Sequence, residues 1–407
     1  MATQKIVSVK TVAAGISVVA LLKLLKSLFS RSLFGLPREK FPLEEWVEQY
    51  EEDAFEPEVA IFDAHHHLFD PRVQPKGWPV SKLFIQLLYA LKPAIANKLF
   101  GTNALMSNTF GYRSPALPPF MGSDLLRDIK GNGKGHNVLG TVYIECGWKT
   151  PGVEPVWAAA GEVDMVTQEH AKHPQILQGI VAFVDLLQGT DVEPVLKRYS
   201  QNTLVKGIRC ALAWTSDTAF LGGFHAKKDM AFDPKFRAGF ALLSKYNLSY
   251  DCWLYHEQVD ALADLARCFP ETTIICDHIG MPLGVGSYKA SESLPKWKDS
   301  MKKLAKNSNV FVKIGGMGMR TLGFGFDERP RPPTSDELAE TWAPYVHFVI
   351  DTFGVERCIM ESNFPMDKIS CSYTVLFNAL KKIVRNFDKE DKRKLFELNG
   401  KRVYRVQ

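Results

Sequence analysis

The chain has 407 residues, 46% of them hydrophobic and 23% charged, which is globular composition and excludes a disordered chain, a collagen-like repeat and a small disulfide-stapled scaffold. The net charge of +5 sits at one end: six of the 50 basic residues lie in the first 38 positions, which hold no acid, so residues 39–407 carry 44 basic against 45 acidic side chains. A near-neutral body without a basic stripe gives no footing for nucleic-acid binding.

The leader, residues 1–38, reads as a separate segment. Between Lys10 and Lys23 lie twelve uncharged residues, Thr11 to Leu22, against the roughly 20 needed to cross a bilayer. With its lysines snorkelling, the stretch Ile6–Phe29 is a marginal membrane anchor, and Leu21, Leu22, Leu24, Leu25 and Leu28 also suit an interfacial helix. An acid-free basic leader containing serine also fits a mitochondrial presequence, the second reading after the anchor. The expected location is intracellular, either membrane-associated through the leader or mitochondrial. Residues 39–56 then form a linker, and 57–407 the body.

Seven cysteines, an odd number, fall mostly in apolar runs and contain no CxxC pair. They read as reduced packing residues in a reducing compartment, not as thiolate metal ligands.

From Val59 the body repeats a short apolar run, a turn and a helical stretch. The runs are Val59–His65, Leu139–Glu145, Gly179–Asp185, Leu204–Arg209, Leu248–Trp253, Thr273–His278, Val310–Ile314 and Cys358–Asn363. They do not alternate polar and apolar cleanly, as strands covered on both faces do not. Helical patterns follow at Val156–Lys172, Val192–Tyr199, Asp233–Tyr246, Glu257–Cys268, Pro295–Lys306, Asp336–Phe353 and Tyr373–Asn386, with Lys389–Leu398 beyond. Eight such units predict an α/β fold, a (β/α)8 TIM barrel. Two excess segments, Asp70–Asn137 with a helix near Ser81–Leu99 and Arg320–Thr334, follow strand ends and are lid or specificity-loop candidates.

Ionisable residues collect at the carboxyl ends of the runs: His65, His66 and His67 at the first, Glu145 at the second, Arg209 at the fourth, His256 after the fifth, Asp277 and His278 at the sixth, Lys313 in the seventh, and Glu361 and Asn363 in the eighth. Only a barrel makes these neighbours. Strand alternation puts His65 and His67 on one side, where two imidazoles reach one cation, and turns His66 away. Buried charge is costly without partners, so convergence on one rim points to use.

The segments DAHHHLFD (63–70), VYIECGW (142–148), VKGIRCALAW (205–214), LSYDCWLYHEQ (248–258), IICDHIGMPLG (274–284), VFVKIGGMGM (310–319) and RCIMESNFPMDK (357–368) together resemble the amidohydrolase-related family, over residues 57–405. The resemblance implies a (β/α)8 barrel that hydrolyses or decarboxylates small molecules. By position, His65 and His67 match the first-strand His-x-His of the family, His256 the fifth-strand histidine, and His278 the sixth-strand histidine that assists catalysis. The eighth strand departs, because Glu361-Ser362-Asn363-Phe364-Pro365 stands where metal-dependent members carry an aspartate. An amide takes no proton from water at pH 7. Glu361, on the same strand face as Asn363, or Asp367 in the following loop, is the replacement base; the other reading pairs Glu361 with Lys313 or Arg209 in a structural network.

The leading expectation is hydrolysis of a small lactone, ester or amide. A divalent cation, zinc or else manganese, is held by His65, His67 and His256, with metal-free operation as the variant seen among lactonase-like members. Protons are handled by His278 and Glu361, with Glu145 beside them, while Arg209 and Lys313 hold an anionic substrate group. Asn363 and Tyr255 line the substrate pocket, with Trp253 and Phe364 in an apolar wall. Nonoxidative decarboxylation of an aromatic or muconate-type acid is the first alternative, and a catalytically altered ligand-binding barrel the second. Nothing in the composition opposes an oligomer.

Overall fold

The computed structural model describes residues 40–74, 89, 91–101, 104–219, 222 and 226–407. The leader, and with it the membrane and targeting expectations, lies outside them, as do residues 81–88 and 90 of the helix expected near 81–99, of which Pro93–Gly101 is helical. Among the described residues no helix is long and apolar enough to cross a membrane.

Eight parallel strands stand in chain order: β1 Ile61–His66, β2 Val138–Ile144, β3 Leu177–Phe183, β4 Val205–Arg209, β5 Ser249–Cys252, β6 Ile274–Cys276, β7 Val310–Ile314 and β8 Cys358–Met360. Helices follow each in turn: α1 Gly122–Lys130, α2 Ala160–Lys172, α3 Glu193–Ser200, α4 Pro234–Phe240, α5 Val259–Cys268, α6 Ala290–Leu304, α7 Ser335–Phe353 and α8 Tyr373–Ile383. This is the expected (β/α)8 barrel. Every position of β1, β5, β6 and β8 is buried, which explains why their sequences lack clean alternation. None of the seven cysteines forms a disulfide.

The strands end early where the ionisable residues sit. β6 stops at Cys276 and β8 at Met360, short of the expected ends at His278 and Asn363. His278 has φ 54° and Asn363 φ 53°, and a left-handed residue cannot continue a ladder. A second difference is α6, which begins at Ala290 and carries Pro295 inside it. Proline is preferred at the first helical position, and that preference misplaced the start.

The ring closes between β1 and β8 without a full ladder. One bridge pairs His66 with Phe364, the His67 N–H donates to Phe364 O at 2.7 Å, and the Asn363 N–H to His65 O at 2.9 Å. The Asp63 carboxylate fastens the rest: Oδ1 accepts from the Ser362 N–H (2.9 Å), and Oδ2 from the Ser362 hydroxyl (2.6 Å) and the Tyr373 hydroxyl (3.0 Å).

Inside the barrel, Phe62, Ala64, Val142, Ile144, Val181, Ile275 and Ile359 form an apolar cluster that Val403 and Tyr404 complete. Those last two residues come from α9, Asn399–Tyr404. Residues 40–56, expected as a linker, are folded onto the body: Phe41, Leu43, Trp46 and Val47 are buried on and beside the helix Pro42–Val47, Glu52 accepts from Ser335 and Asn378, and the Lys381 ammonium donates to the Glu56 and Val59 carbonyls. The two insertions meet each other, with Arg113 Nη1 donating to Asp327 O at 2.6 Å and the Arg320 guanidinium 4.9 Å from the Tyr112 ring.

Candidate active site

The carboxyl ends of β1, β2, β4, β6, β7 and β8 bring most of the expected residues into one buried group. His65, Lys313 and Glu361 are fully buried, and His67, Glu145, Arg209 and His278 nearly so. The barrel explains the convergence, because each residue lies at or just beyond the carboxyl end of its strand. Gly315 and Gly316, directly after β7, make room for it. A Cβ on Gly315 would lie 2.3 Å from Glu361 Cγ, and one on Gly316, at φ 67°, 2.5 Å from the His278 ring.

His66 turns away, its Nε2 3.0 Å from Thr141 Oγ1, while His65 and His67 face each other with Nε2 atoms 3.3 Å apart. His67 Nδ1–H donates to the Ile144 carbonyl at 2.8 Å, which fixes the tautomer and leaves Nε2 with a lone pair. At His65 Nδ1 two partners compete: the Lys313 ammonium donates from 3.2 Å, and Glu361 Oε2 lies 2.8 Å away. With Lys313 as donor, Glu361 Oε2 has no hydrogen-bond partner. With Nδ1 protonated, Glu361 Oε2 is satisfied and His65 Nε2 is bare beside His67 Nε2. Burial, and then the Lys313 charge, holds His65 well below the usual imidazole pKa; burial and Arg209 do the same for His67. Both rings are therefore neutral, the form that binds a cation.

The other oxygen of Glu361 accepts from His278 Nδ1–H at 2.6 Å and from the His278 N–H at 3.3 Å. Burial pushes the His278 pKa down, but Glu361 and Asp277 more than offset it and the net shift is upward. His65, Asp277 and His278 each offer a ligand atom, all within 4.8 Å of one another. Asp277 is wholly buried and neither of its oxygens has a hydrogen-bond partner. Its compensation is electrostatic, with Lys313 Nζ 3.2 Å from Oδ1 and Arg209 Nη1 4.0 Å from Oδ2.

Such a donor set fits a divalent cation. Two nitrogens on one tetrahedral ion at about 2.05 Å stand roughly 3.3 Å apart, the spacing of His65 and His67. An ion also meets the two oxygens of Asp277, which the protein leaves without hydrogen-bond donors.

Other expected residues are engaged differently. Arg209 Nε donates to Glu145 Oε1 at 2.7 Å and Nη2 to the Glu145 carbonyl, so the two form a pair with 7% and 9% side-chain exposure. Asn363 Nδ2 donates to Asp367 Oδ1 at 2.8 Å, and burial pushes the Asp367 carboxyl up to about 7. Tyr255 lies in the hydrophobic core, edge-on to Trp253 with ring centroids 6.1 Å apart. His256 is not in the group of close ligand atoms. Its Nδ1 accepts a long 3.4 Å contact from the Leu283 N–H, and burial lowers its pKa to about 4. An accepting Nδ1 places the ring hydrogen on Nε2, the nitrogen a cation would need.

The backbone after β6 is unusual: His278, Ile279, Gly280 and Met281 all have positive φ, from 33° to 70°. Three of them are not glycine, and Ile279 is β-branched. Conformations of this cost persist only where the surroundings over-determine them, and here Trp297 Nε1–H holds the Ile279 carbonyl at 2.7 Å. Sequence reasoning placed Asp277 on the rim without giving it a role, and missed Asp251 altogether; an acid at the end of a buried run was the available signal for both.

A family model described as amidohydrolase matches residues 147–406. The uncharacterized protein y4mH of Sinorhizobium fredii is 29% identical over 349 residues, 86% of this chain and 99% of that one. L-fucono-1,5-lactonase of Burkholderia ambifaria is 25% identical over 201 residues, 49% of this chain and 59% of its own length. Among solved structures, an amidohydrolase from Burkholderia multivorans with bound zinc superposes with a TM-score of 0.60 at 14% identity, over 86% of this chain and 100% of that one, which shows a shared fold. The family match covers most of the chain and its barrel carries the site at the expected strand ends: this protein belongs to the amidohydrolase family.

Proposed function

We propose that the site hydrolyses a small lactone, ester or amide with a divalent cation, zinc before manganese, held by His65, Asp277 and His278, with His67 beside His65. The observation that carries this reading is the pair of oxygens on a fully buried Asp277 that lack hydrogen-bond donors and have only the charges of Lys313 and Arg209 as compensation. When bound, such an ion supplies an activated water and polarises the substrate carbonyl.

The chain's own residues do the rest. Glu361 orients two imidazoles with one carboxylate, so its part is to hold ligands. Asp277 has two oxygens, so that besides helping to hold a cation it could accept a proton from water. Glu145 holds Arg209, whose Nη1 edge remains directed toward Asp277 and is placed to meet a substrate oxygen. Asp367, with a proton to exchange near neutral pH, stands behind Asn363. The likeness to a sugar-acid lactonase makes neutral sugar lactones the substrates to begin with. Hydrolysis of such lactones, followed by titrating the released acid, tests the proposal with Asp277→Asn. A loss of 10³-fold or more in kcat with an unchanged circular dichroism spectrum is expected; full activity in the variant refutes the assignment.

A further inference from the structure

The catalytic layer rests on the end of the chain. Asn399 anchors α9 to the start of β8, its Nδ2 donating to Val355 O (2.8 Å) and Cys358 O (2.9 Å). Gly400 lets the helix lie against the amino ends of β1 and β8, since a Cβ there would come within 2.8 Å of Phe62 and 3.4 Å of Ile359. One turn later Tyr404 enters the barrel interior, fully buried. Its ring lies in the apolar cluster and its hydroxyl donates to Asp251 Oδ2. The same oxygen accepts from Lys313 Nζ at 2.7 Å, and Lys313 is also 5.4 Å from the Tyr404 ring centroid. From there the ammonium reaches His65 Nδ1 and Asp277 Oδ1, both at 3.2 Å. Tyr404, Asp251, Lys313, His65 and Asp277 form one line with no solvent along it, all at 0% exposure.

We infer that Tyr404 is a positioning residue: through Asp251 it fixes where the Lys313 ammonium stands, and so fixes Asp277 as a ligand. This rests on the metal reading above. The physical ground is geometric. Lys313 is a flexible side chain carrying a point charge with three donors. It has two acidic partners, Asp251 and Asp277, and Asp277 is itself a residue that must stay in place. Asp251 is the fixed end, and the Tyr404 hydroxyl is the group that holds its Oδ2. Without that hydroxyl the carboxylate is free to rotate with the ammonium attached. Partners of this outer kind change metal affinity by 10- to 100-fold.

The test is Tyr404→Phe in the full-length protein, which keeps the ring and its packing and removes only the hydroxyl. Zinc affinity is measured by competition with a chromophoric chelator, and the thermal midpoint of the metal-free protein is measured alongside. A loss of about tenfold or more in zinc affinity with the midpoint within a few degrees of wild type is expected. Wild-type affinity in the variant overturns the inference, because a ring that only plugs the barrel is unaffected by this change. Should Tyr404→Phe fail to fold, Asp251→Asn answers the same question, with the same loss expected and wild-type affinity again contradicting it. A wild-type protein that binds no zinc refutes the metal reading itself. The positioning role is then read from kcat on a lactone substrate, which Tyr404→Phe lowers about tenfold at unchanged KM; an unchanged kcat overturns it.

Discussion

A single carboxylate, Glu361, faces His65 Nδ1 on one oxygen and His278 Nδ1 on the other. Glutamine has the same shape but one oxygen, so Glu361→Gln can accept from one imidazole and leaves the other misdirected. We expect zinc affinity to fall by about 10- to 100-fold, read by chelator competition; an unchanged affinity would show that the two contacts are incidental. Asp367 supplies a pH signature. Its folded-state pKa is raised to about 7 from 3.8 because burial disfavours the charged form. The fold therefore binds a proton that the unfolded chain has released. That contribution to stability is complete below about pH 3.8 and is lost as the pH rises through about 7. Asp63 and Asp251, both raised to about 6, act in the same direction. Urea denaturation at pH 5 and pH 8 should show wild type losing more stability across that interval than Asp367→Asn, by on the order of 1–3 kcal/mol. Equal losses would mean that Asp367 is ionised throughout.

Between elements, the seam of β1 and β8 is the informative one. It is closed largely by the Asp63 side chain, which gathers two N–H groups and two buried hydroxyls. Removing the carboxylate with Asp63→Ala is expected to cost roughly 3–5 kcal/mol, and removing one donor with Tyr373→Phe only about 1 kcal/mol. Chemical denaturation at constant pH gives the two values, and comparable costs for both would contradict this account of the seam. The same seam shows what was legible in the sequence. The apolar runs marked all eight strands to within a few residues, since burial on both faces writes itself into composition. The residues after Cys276 and Met360 looked like strand continuations because no glycine interrupts Asp277-His278 or Glu361-Ser362-Asn363, and histidine and asparagine only raise the frequency of the left-handed region that both adopt. His65 and His67 were paired correctly by strand alternation, a local rule. His256 lies on the segment after β5, where no periodicity says whether a side chain turns inward, and the link from Asp251 to Tyr404 spans 153 positions that only barrel closure brings together.

For the whole molecule, the body extends further toward the amino terminus than composition suggested. Phe41, Leu43, Trp46 and Val47 are four apolar residues within seven positions, and their burial on the barrel side contributes roughly 1.5–3 kcal/mol each. A chain beginning at residue 39 is expected to melt within about 2 °C of full length, whereas one beginning at residue 57 should melt at least about 5 °C lower. Equal melting temperatures for all three would mean that this segment adds nothing to the fold. Residues 40–56 and the carboxyl-terminal helix thus have separate tasks: residues 40–56 fasten to the outside of the barrel, at Ser335, Asn378 and Lys381, and α9 enters its interior.

The account depends most on a cation bound at His65, His67, Asp277 and His278. Elemental analysis of the full-length protein, purified without chelators beside the His65→Ala, His67→Ala double variant, tests this directly. About one equivalent of zinc or manganese per chain, lost in the double variant, is the predicted result. A wild-type protein that is fully active on lactones without stoichiometric metal would contradict it.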